Sequence, residues 1–325
     1  MTDNRNFEVI IIGGSYSGLS AAMSLGRALR QVLVIDSGTP CNRQTPHSHN
    51  FITQDGEMPG EIARKAKEQV LQYDTVAFYE GLAVSGKKTK TGFEIETQPG
   101  DIFTAKRLIF ATGLSDTMPD IKGFAACWGI SVLHCPYCHG YEVRNQKTGI
   151  IANGDAGFHY AQLISNWTKE LLLFTNGKST LTAEQTERIR KNSIQIIEQE
   201  IDFIEHDNGK VQQIKCKDYP GIHLRAMYSG PAFTQHCKIP ETLGCECTEQ
   251  GLLTVDAFQK TSVEGVYACG DNCSWRAVSV AVSTGTMAGA AVNNELTEKA
   301  FNADEYRAGD SNKRVVPEPG EKSMA

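Results

Sequence analysis

The sequence predicts an α/β protein built on two Rossmann-like, three-layer units. Three observations predict it. Two segments read as strand, glycine-rich turn, helix and second strand. The composition, 40% hydrophobic with 30 glycines among 325 residues, suits many tight strand-to-helix turns and gives room for about two domains. A close cysteine pair, Cys135 and Cys138, falls between the two segments.

The first segment begins with Glu8-Val9-Ile10-Ile11-Ile12, a short β-branched run of the kind buried on both faces of a parallel sheet. It ends in Gly13-Gly14-Ser15-Tyr16-Ser17-Gly18, and a helical pattern through Leu19, Ala22, Met23 and Leu29 follows. The next strand, Val32-Leu33-Val34-Ile35, ends at Asp36. This is the dinucleotide fingerprint G-x-G-x-x-G with Ser15 in place of the middle glycine. Gly13 allows the tight turn, and Gly18 lets the helix pack closely on the strand. The helix N-terminus presents free N–H groups to a pyrophosphate. Asp36 is placed to accept a ribose hydroxyl. Two distant segments point to the same site. Arg107 to Gly113 is a strand ending in Ala-Thr-Gly, with Thr112 and Gly113 at its tip. Thr261 to Asp271 is a strand ending in Gly270-Asp271, and Ala277 to Val292 reads as a small-residue helix.

The second segment starts with Thr148-Gly149-Ile150-Ile151 and continues through Ala152-Asn153-Gly154-Asp155-Ala156-Gly157 to a helix and the strand Glu170 to Thr175. Ala152 stands where the fingerprint has its first glycine. An NADPH site needs cations for the 2′-phosphate, and an NADH site usually has an acid for the ribose diol. Thr175-Asn176-Gly177-Lys178-Ser179 offers neither an arginine pair nor an acid, and Lys178 is its only cation. The nicotinamide fold is expected, but its recognition chemistry is eroded, so NADPH use is doubtful.

The hexad His134-Cys135-Pro136-Tyr137-Cys138-His139 is the equipment of a reversible dithiol/disulfide couple. Exchange needs a thiolate, and a free thiol near pKa ~8.5 is mostly protonated at neutral pH. An imidazole, ordinarily near ~6.5, can take that proton and return it. His139 adjoins Cys138 and is the first candidate; His134 is the second. A zinc site is not expected, because no second ligand pair occurs at finger spacing. Cys245-Glu246-Cys247 as a second dithiol has no support, and Trp128, Trp167 and Trp275 read as packing residues. The net charge of −6 and the lack of a basic run argue against nucleic acid. No signal peptide or membrane span is read, which places the chain in the cytoplasm.

On these motifs the chain resembles the two-dinucleotide-binding-domain flavoprotein disulfide reductases, and most closely the low-molecular-weight thioredoxin reductases. The resemblance runs from Val9 to about Val292 and includes Gly140, Tyr141 and Arg144-Asn145-Gln146-Lys147 beside the hexad. It implies that the first fingerprint, the Ala-Thr-Gly strand and Gly270-Asp271 hold FAD, and that Asn50 hydrogen-bonds the flavin. It implies an FAD domain split into 1–117 and 243–301. An NAD(P)-binding-like domain at 118–242 is then inserted into it, and 302–325 is a polar tail. Cys138 maps to the flavin-facing cysteine and Cys135 to the one that exchanges with the partner. A homodimer is implied as well. The reductases carry an acid after the second cysteine; here it is His139. With the lost arginines, this resembles the gliotoxin- and holomycin-type dithiol oxidases and the thioredoxin-reductase-like proteins without NADPH motifs. Three functions follow as expectations. The first is an NADPH-independent oxidoreductase of a small dithiol or disulfide, or of a thioredoxin-like protein, with oxygen or a ferredoxin-type carrier as electron partner. The second is an NADPH-dependent thioredoxin-disulfide reductase, and the third a flavin redox sensor.

Overall fold

A computed structural model describes residues 5–303 of the chain. The first unit opens with β1 (Asn6–Ile12), α1 (Tyr16–Arg27) and β2 (Val32–Asp36). Val9 to Ile12 and Val32 to Ile35 are buried throughout, as apolar strands covered on both faces must be. Helix α2 (Pro59–Val70), β3 (Val76–Glu80), the antiparallel hairpin β4 (Ala83–Lys88) and β5 (Phe93–Thr97), and the long β6 (Ile102–Phe110) follow. They form a sheet in the order β3-β2-β1-β6-β5-β4.

A short strand, β7 (Leu114–Asp116), leads into the second unit. There α3 (Phe124–Cys127), β8 (Val132–Leu133), α4 (Pro136–His139), β9 (Thr148–Ile151), α5 (Gly154–Ile164), β10 (Leu171–Phe174), α6 (Ala183–Lys191) and β11 (Gln195–Ile197) occur in turn. An antiparallel meander follows, made of β12 (Ile201–Asp207), β13 (Lys210–Cys216) and β14 (Ile222–His223), and the chain then forms β15 (Ala226–Ser229). The sheet order β11-β10-β9-β15-β8 is parallel at every pairing. The chain returns through β16 (Phe233–Gln235), which pairs antiparallel with β7, so the outgoing and returning strands form one ribbon.

After α7 (Ile239–Thr242), β17 (Val266–Ala268) rejoins the first sheet. The far edge of β6 has two neighbours: 102–105 pairs antiparallel with β5, and 108–110 pairs parallel with β17. One sheet therefore holds strands from before and after the second unit. The last helix, α8 (Val278–Asn302), lies on α1. A Cβ on Gly285 would meet Ser17 O at 2.1 Å, and one on Gly289 would meet Ala21 O at 2.7 Å, so the small residues of α8 permit backbone approach. Val9, Ile11, Ala21, Leu25, Val34, Ala288 and Val292 fill the core between α1, α8 and the sheet. Each fully buried Val, Ile or Leu there contributes roughly 1.5–3 kcal/mol.

The helix expected to end near Val292 runs on to Asn302. Its polar second half is anchored by tertiary partners: Arg30 holds Asn293 and Thr297, while Arg107 pairs with Glu295 at 2.8 Å. Tyr267 donates to the same carboxylate, which these donors hold down to about 2 against its burial. The tail expected at 302–325 lies outside the described residues from 304 onward. Among the described residues, no helix is long and apolar enough to cross a membrane, and no cluster of His, Cys, Asp and Glu could hold a metal.

Candidate active site

The turn after β1 shows why its glycines are needed. Gly13 has φ +105°, and a Cβ there would lie 2.2 Å from Ala111 O. A Cβ on Gly18 would lie 1.9 Å from Gly13 O, so α1 sits directly on the turn. Ser15 is the N-cap of α1 but makes no side-chain capping bond. Its hydroxyl faces a cleft of about 1100 Å³, at the upper end of ligand-pocket volumes. Asp36 accepts a hydrogen bond from Gly14 N–H at 3.1 Å and also lines the cleft, so it braces the turn from within the cleft wall.

Thr112 and Gly113, at the end of β6, line the same cleft, as do Asn50 and Asp271. Asn50 has φ +59° and donates its backbone N–H to Asp55 Oδ1 at 2.7 Å, a conformation Asn tolerates better than most residues. Burial pushes the Asp271 carboxyl up to about 6, with Asp116 adding to the rise and Arg276 opposing it. Gly270 lies outside the lining. Its N–H donates to Thr284 Oγ1 at 3.0 Å, and a Cβ would meet Ser17 Oγ at 2.6 Å, so it shapes the loop that carries Asp271.

Two residues here were not legible as partners in the sequence. Asn272 is fully buried and donates to Phe110 O at 2.9 Å and Thr112 Oγ1 at 3.3 Å, tying the Gly-Asp loop to the tip of β6. Arg276 donates to Asp116 Oδ1 at 2.8 Å and lies 5.1 Å over the Phe233 ring, so it grips both strands of the ribbon. Its Nη2 is buried without a hydrogen-bond partner, as is Asn272 Oδ1. Leaving such groups unmatched is costly, and Arg276 lines the cleft, so an acceptor on a bound ligand is expected beside it.

The cleft meets the second unit at α4. Cys135 is the N-cap of this turn, its sulfur accepting Cys138 N–H at 3.2 Å, and Pro136 occupies the first helical position. Cys135 and Cys138 form a disulfide with a Cα–Cα distance of 5.3 Å. Cys138 and His139 line the cleft; Cys135 and His134 do not. Burial lowers the His139 pKa to about 4; His49 reinforces this and Glu142 opposes it. The His49 and His139 rings meet edge-on at 6.3 Å. His134 is also lowered, by burial and then Arg276, with Asp116 opposing, and its ring lies 6.5 Å from Trp128. Tyr137 presents an edge to both Trp167 and Trp275. Trp275 is 66% exposed, so it is not a core residue, and its ring contact is with Tyr137 at 6.2 Å. Cys245 and Cys247 are both free thiols, the first buried and the second exposed.

The second fingerprint is closed by its own side chains. Asn153 Oδ1 accepts from Gly154 N–H at 2.8 Å, Thr180 N–H at 2.8 Å and Thr180 Oγ1 at 3.1 Å. Its amide donates to Lys178 O at 2.9 Å. The loop after β10 is thereby fastened across the N-terminus of α5, and Asp155 puts a carboxylate in that first turn.

Fold and site together define a two-unit oxidoreductase whose redox disulfide faces a glycine-cradled cleft. The chain belongs to the pyridine nucleotide-disulphide oxidoreductase family, whose model matches residues 7–285. It is 31% identical over 312 residues to thioredoxin reductase tcpT of Claviceps purpurea, covering 91% of this chain and 96% of that one. An oxidoreductase structure from Agrobacterium tumefaciens superposes with a TM-score of 0.84 at 36% identity, over 90% of this chain and 99% of the other. The structure of HlmI superposes with a TM-score of 0.86 at 28% identity, over 93% and 96%. The protein is therefore an enzyme of thioredoxin reductase type, as its motifs led us to expect.

Proposed function

We propose that the protein is an FAD-dependent thiol–disulfide oxidoreductase that takes electrons from a dithiol through Cys135 and Cys138 and does not use NADPH. The observation that carries this reading is that Cys138 and His139 share one cleft with the first fingerprint, while the second fingerprint is tied shut by Asn153 and Thr180. The donors and acceptors of the cleft fit FAD. The N-terminus of α1 beside Gly13, Ser15 and Gly18 suits a pyrophosphate, and Asp36 suits a ribose. Asn50, Thr112, Gly113 and Asp271 serve the rest, with Gly270 shaping the loop. When bound, FAD supplies a two-electron acceptor.

The chain's own residues perform the exchange. A substrate thiolate attacks Sγ of Cys135; the Cys135–Cys138 bond breaks and Cys138 leaves as a thiolate. The second substrate thiol then attacks the substrate sulfur bound to Cys135. The substrate leaves as a disulfide and the protein holds a dithiol. His139 is neutral at pH 7 and has a lone pair for the substrate proton. The Cys138 thiolate then stabilises the imidazolium beside it.

Further parts of the reading are the domain limits 1–117 with 243–301, and 118–242; a cytoplasmic homodimer; and a small dithiol or thioredoxin-like partner. Oxygen or a ferredoxin-type carrier is the final acceptor. The names of relatives such as tcpT favour a second reading, an NADPH-dependent thioredoxin reductase. An anaerobic experiment separates the two. Holoprotein is mixed with NADPH or with dithiothreitol while flavin absorbance is followed. Bleaching by the dithiol alone supports the proposal, and rapid bleaching by NADPH overturns it.

A further inference from the structure

We propose that His49 carries the proton between His139 and solvent during disulfide exchange, with Asp55 and Glu142 holding its ring. The proposal rests on the thiol–disulfide reading above. His49 acts through His139 and is a positioning residue.

The exchange creates the need. A dithiol that closes to a disulfide gives up two protons as its electron pair moves to the protein sulfurs. His139, which receives the first, is half-buried beside the cleft and must pass the proton on. Its ring meets the His49 ring edge-on at 6.3 Å, within the range of direct ring contact. His49 Nε2 lies 3.7 Å from Glu142 Oε1, and His49 Nδ1 lies 3.6 Å from Asp55 Oδ2. Asp55 is 67% exposed and Glu142 40%, against 19% for His49, so both carboxylates lie on the solvent side of the half-buried ring. These carboxylates and His139 are the titratable groups that face His49. The other nearby histidines are turned to different tasks: His47 Nδ1 bonds Gly56 O at 2.9 Å, and His134 packs by Trp128.

The loop that carries His49 is built to hold it. Ser48 and Glu57 form a β-bridge, with Ser48 N–H donating to Glu57 O and Gly56 N–H donating to Ser48 O, both at 2.8 Å. Asp55 Oδ1 fixes Asn50 N–H while Oδ2 faces His49, so one carboxylate serves the turn and the ring. His49 comes from the first unit, whereas His139 and Glu142 come from the second. The relay is thus complete only when Cys138 faces the cleft.

The test follows opening of the disulfide in holoprotein by dithiothreitol at pH 7. It uses anaerobic protein with excess dithiothreitol, acid quench, alkylation and mass counting of thiols, so the flavin is reduced once and the thiols then accumulate. The variant His49→Gln is expected to open about 10-fold more slowly, below the ~10²–10⁴-fold of a direct general base, because solvent partly substitutes for a relay. It should also show a larger solvent isotope effect and recover with added imidazole. The double variant Asp55→Asn/Glu142→Gln removes both charges, keeps an amide oxygen to accept Asn50 N–H, and should slow opening in the same direction. It decides the matter if His49→Gln does not fold. A wild-type rate and isotope effect in both variants, with His139→Gln slow, overturns the relay and leaves the exchange reading standing. If His139→Gln also opens at the wild-type rate, its proton role falls and the relay falls with it.

Discussion

Opening the disulfide should raise the proton affinity of His139. In the oxidised protein its pKa lies near 4, against the ordinary 6.5, chiefly because burial removes water from the imidazolium. At ~1.4 kcal/mol per pH unit, charging it in the fold costs about 3 kcal/mol more than in the unfolded chain. The folded pKa is depressed, so this group leaves stability intact above pH 6.5. As pH falls toward 4 it removes up to about 3 kcal/mol. Reduction puts a thiolate on the adjacent Cys138. An opposite charge within about 4–6 Å moves a pKa by roughly 1–3 units, so His139 should titrate between about 5 and 7 in the reduced protein. The assay is an NMR titration of ring-labelled histidine in the oxidised and dithiothreitol-reduced forms, with His139 assigned by its Gln variant. A titration that does not move on reduction refutes the coupling between His139 and Cys138.

Other predictions concern the two fingerprints. Gly18→Ala should lose about 1–3 kcal/mol by overpacking against Gly13 O and purify with little flavin, read by thermal unfolding and the flavin-to-protein ratio. Unchanged flavin content would show that the turn is not the cradle. Asp271 is pushed up to about 6, so its carboxylate destabilises the apoprotein as pH rises from 3.8 through 6. Asp271→Asn should therefore stabilise the apoprotein at pH 7 by ~1–3 kcal/mol, read as a higher melting temperature, yet weaken flavin retention. A fall in both would show that the carboxylate is structural. Asn153→Gly with Thr180→Gly should unfasten the loop over α5 and give measurable NADH or NADPH binding by calorimetry where the natural chain has none. Strong binding by the natural chain would show that the knot is no barrier.

The sequence exposed what local pattern encodes. The apolar runs at β1, β2 and β10 and the glycines of the first turn stand in order along the chain, so their fold and role could be read directly. Asp36 was legible by spacing, although its bond to Gly14 N–H was not. The rest depends on partners far apart. Asn272 meets Phe110, and Arg276 meets Asp116, each across 160 residues or more, and no periodicity signals either pair. Nothing near His49 in the sequence marks it, because its carboxylates and His139 converge only in three dimensions. The erosion of the second fingerprint was visible as Ala152 and the missing arginines. Its closure by Asn153 and Thr180 was not, since a polar loop sequence does not reveal where its side chains point. The hairpin β4–β5 and the meander β12–β14 also went unread, although Phe93-Glu94-Ile95-Glu96 alternates apolar and polar residues.

The central claim, that Cys138 faces the flavin while Cys135 meets the substrate, is tested most directly by the visible spectra of two single-cysteine variants. In Cys135→Ser the remaining Cys138 thiolate should lie against the flavin and give a long-wavelength charge-transfer band that disappears when acid protonates the thiolate. In Cys138→Ser the band should be absent. A band in Cys138→Ser and none in Cys135→Ser would contradict the account.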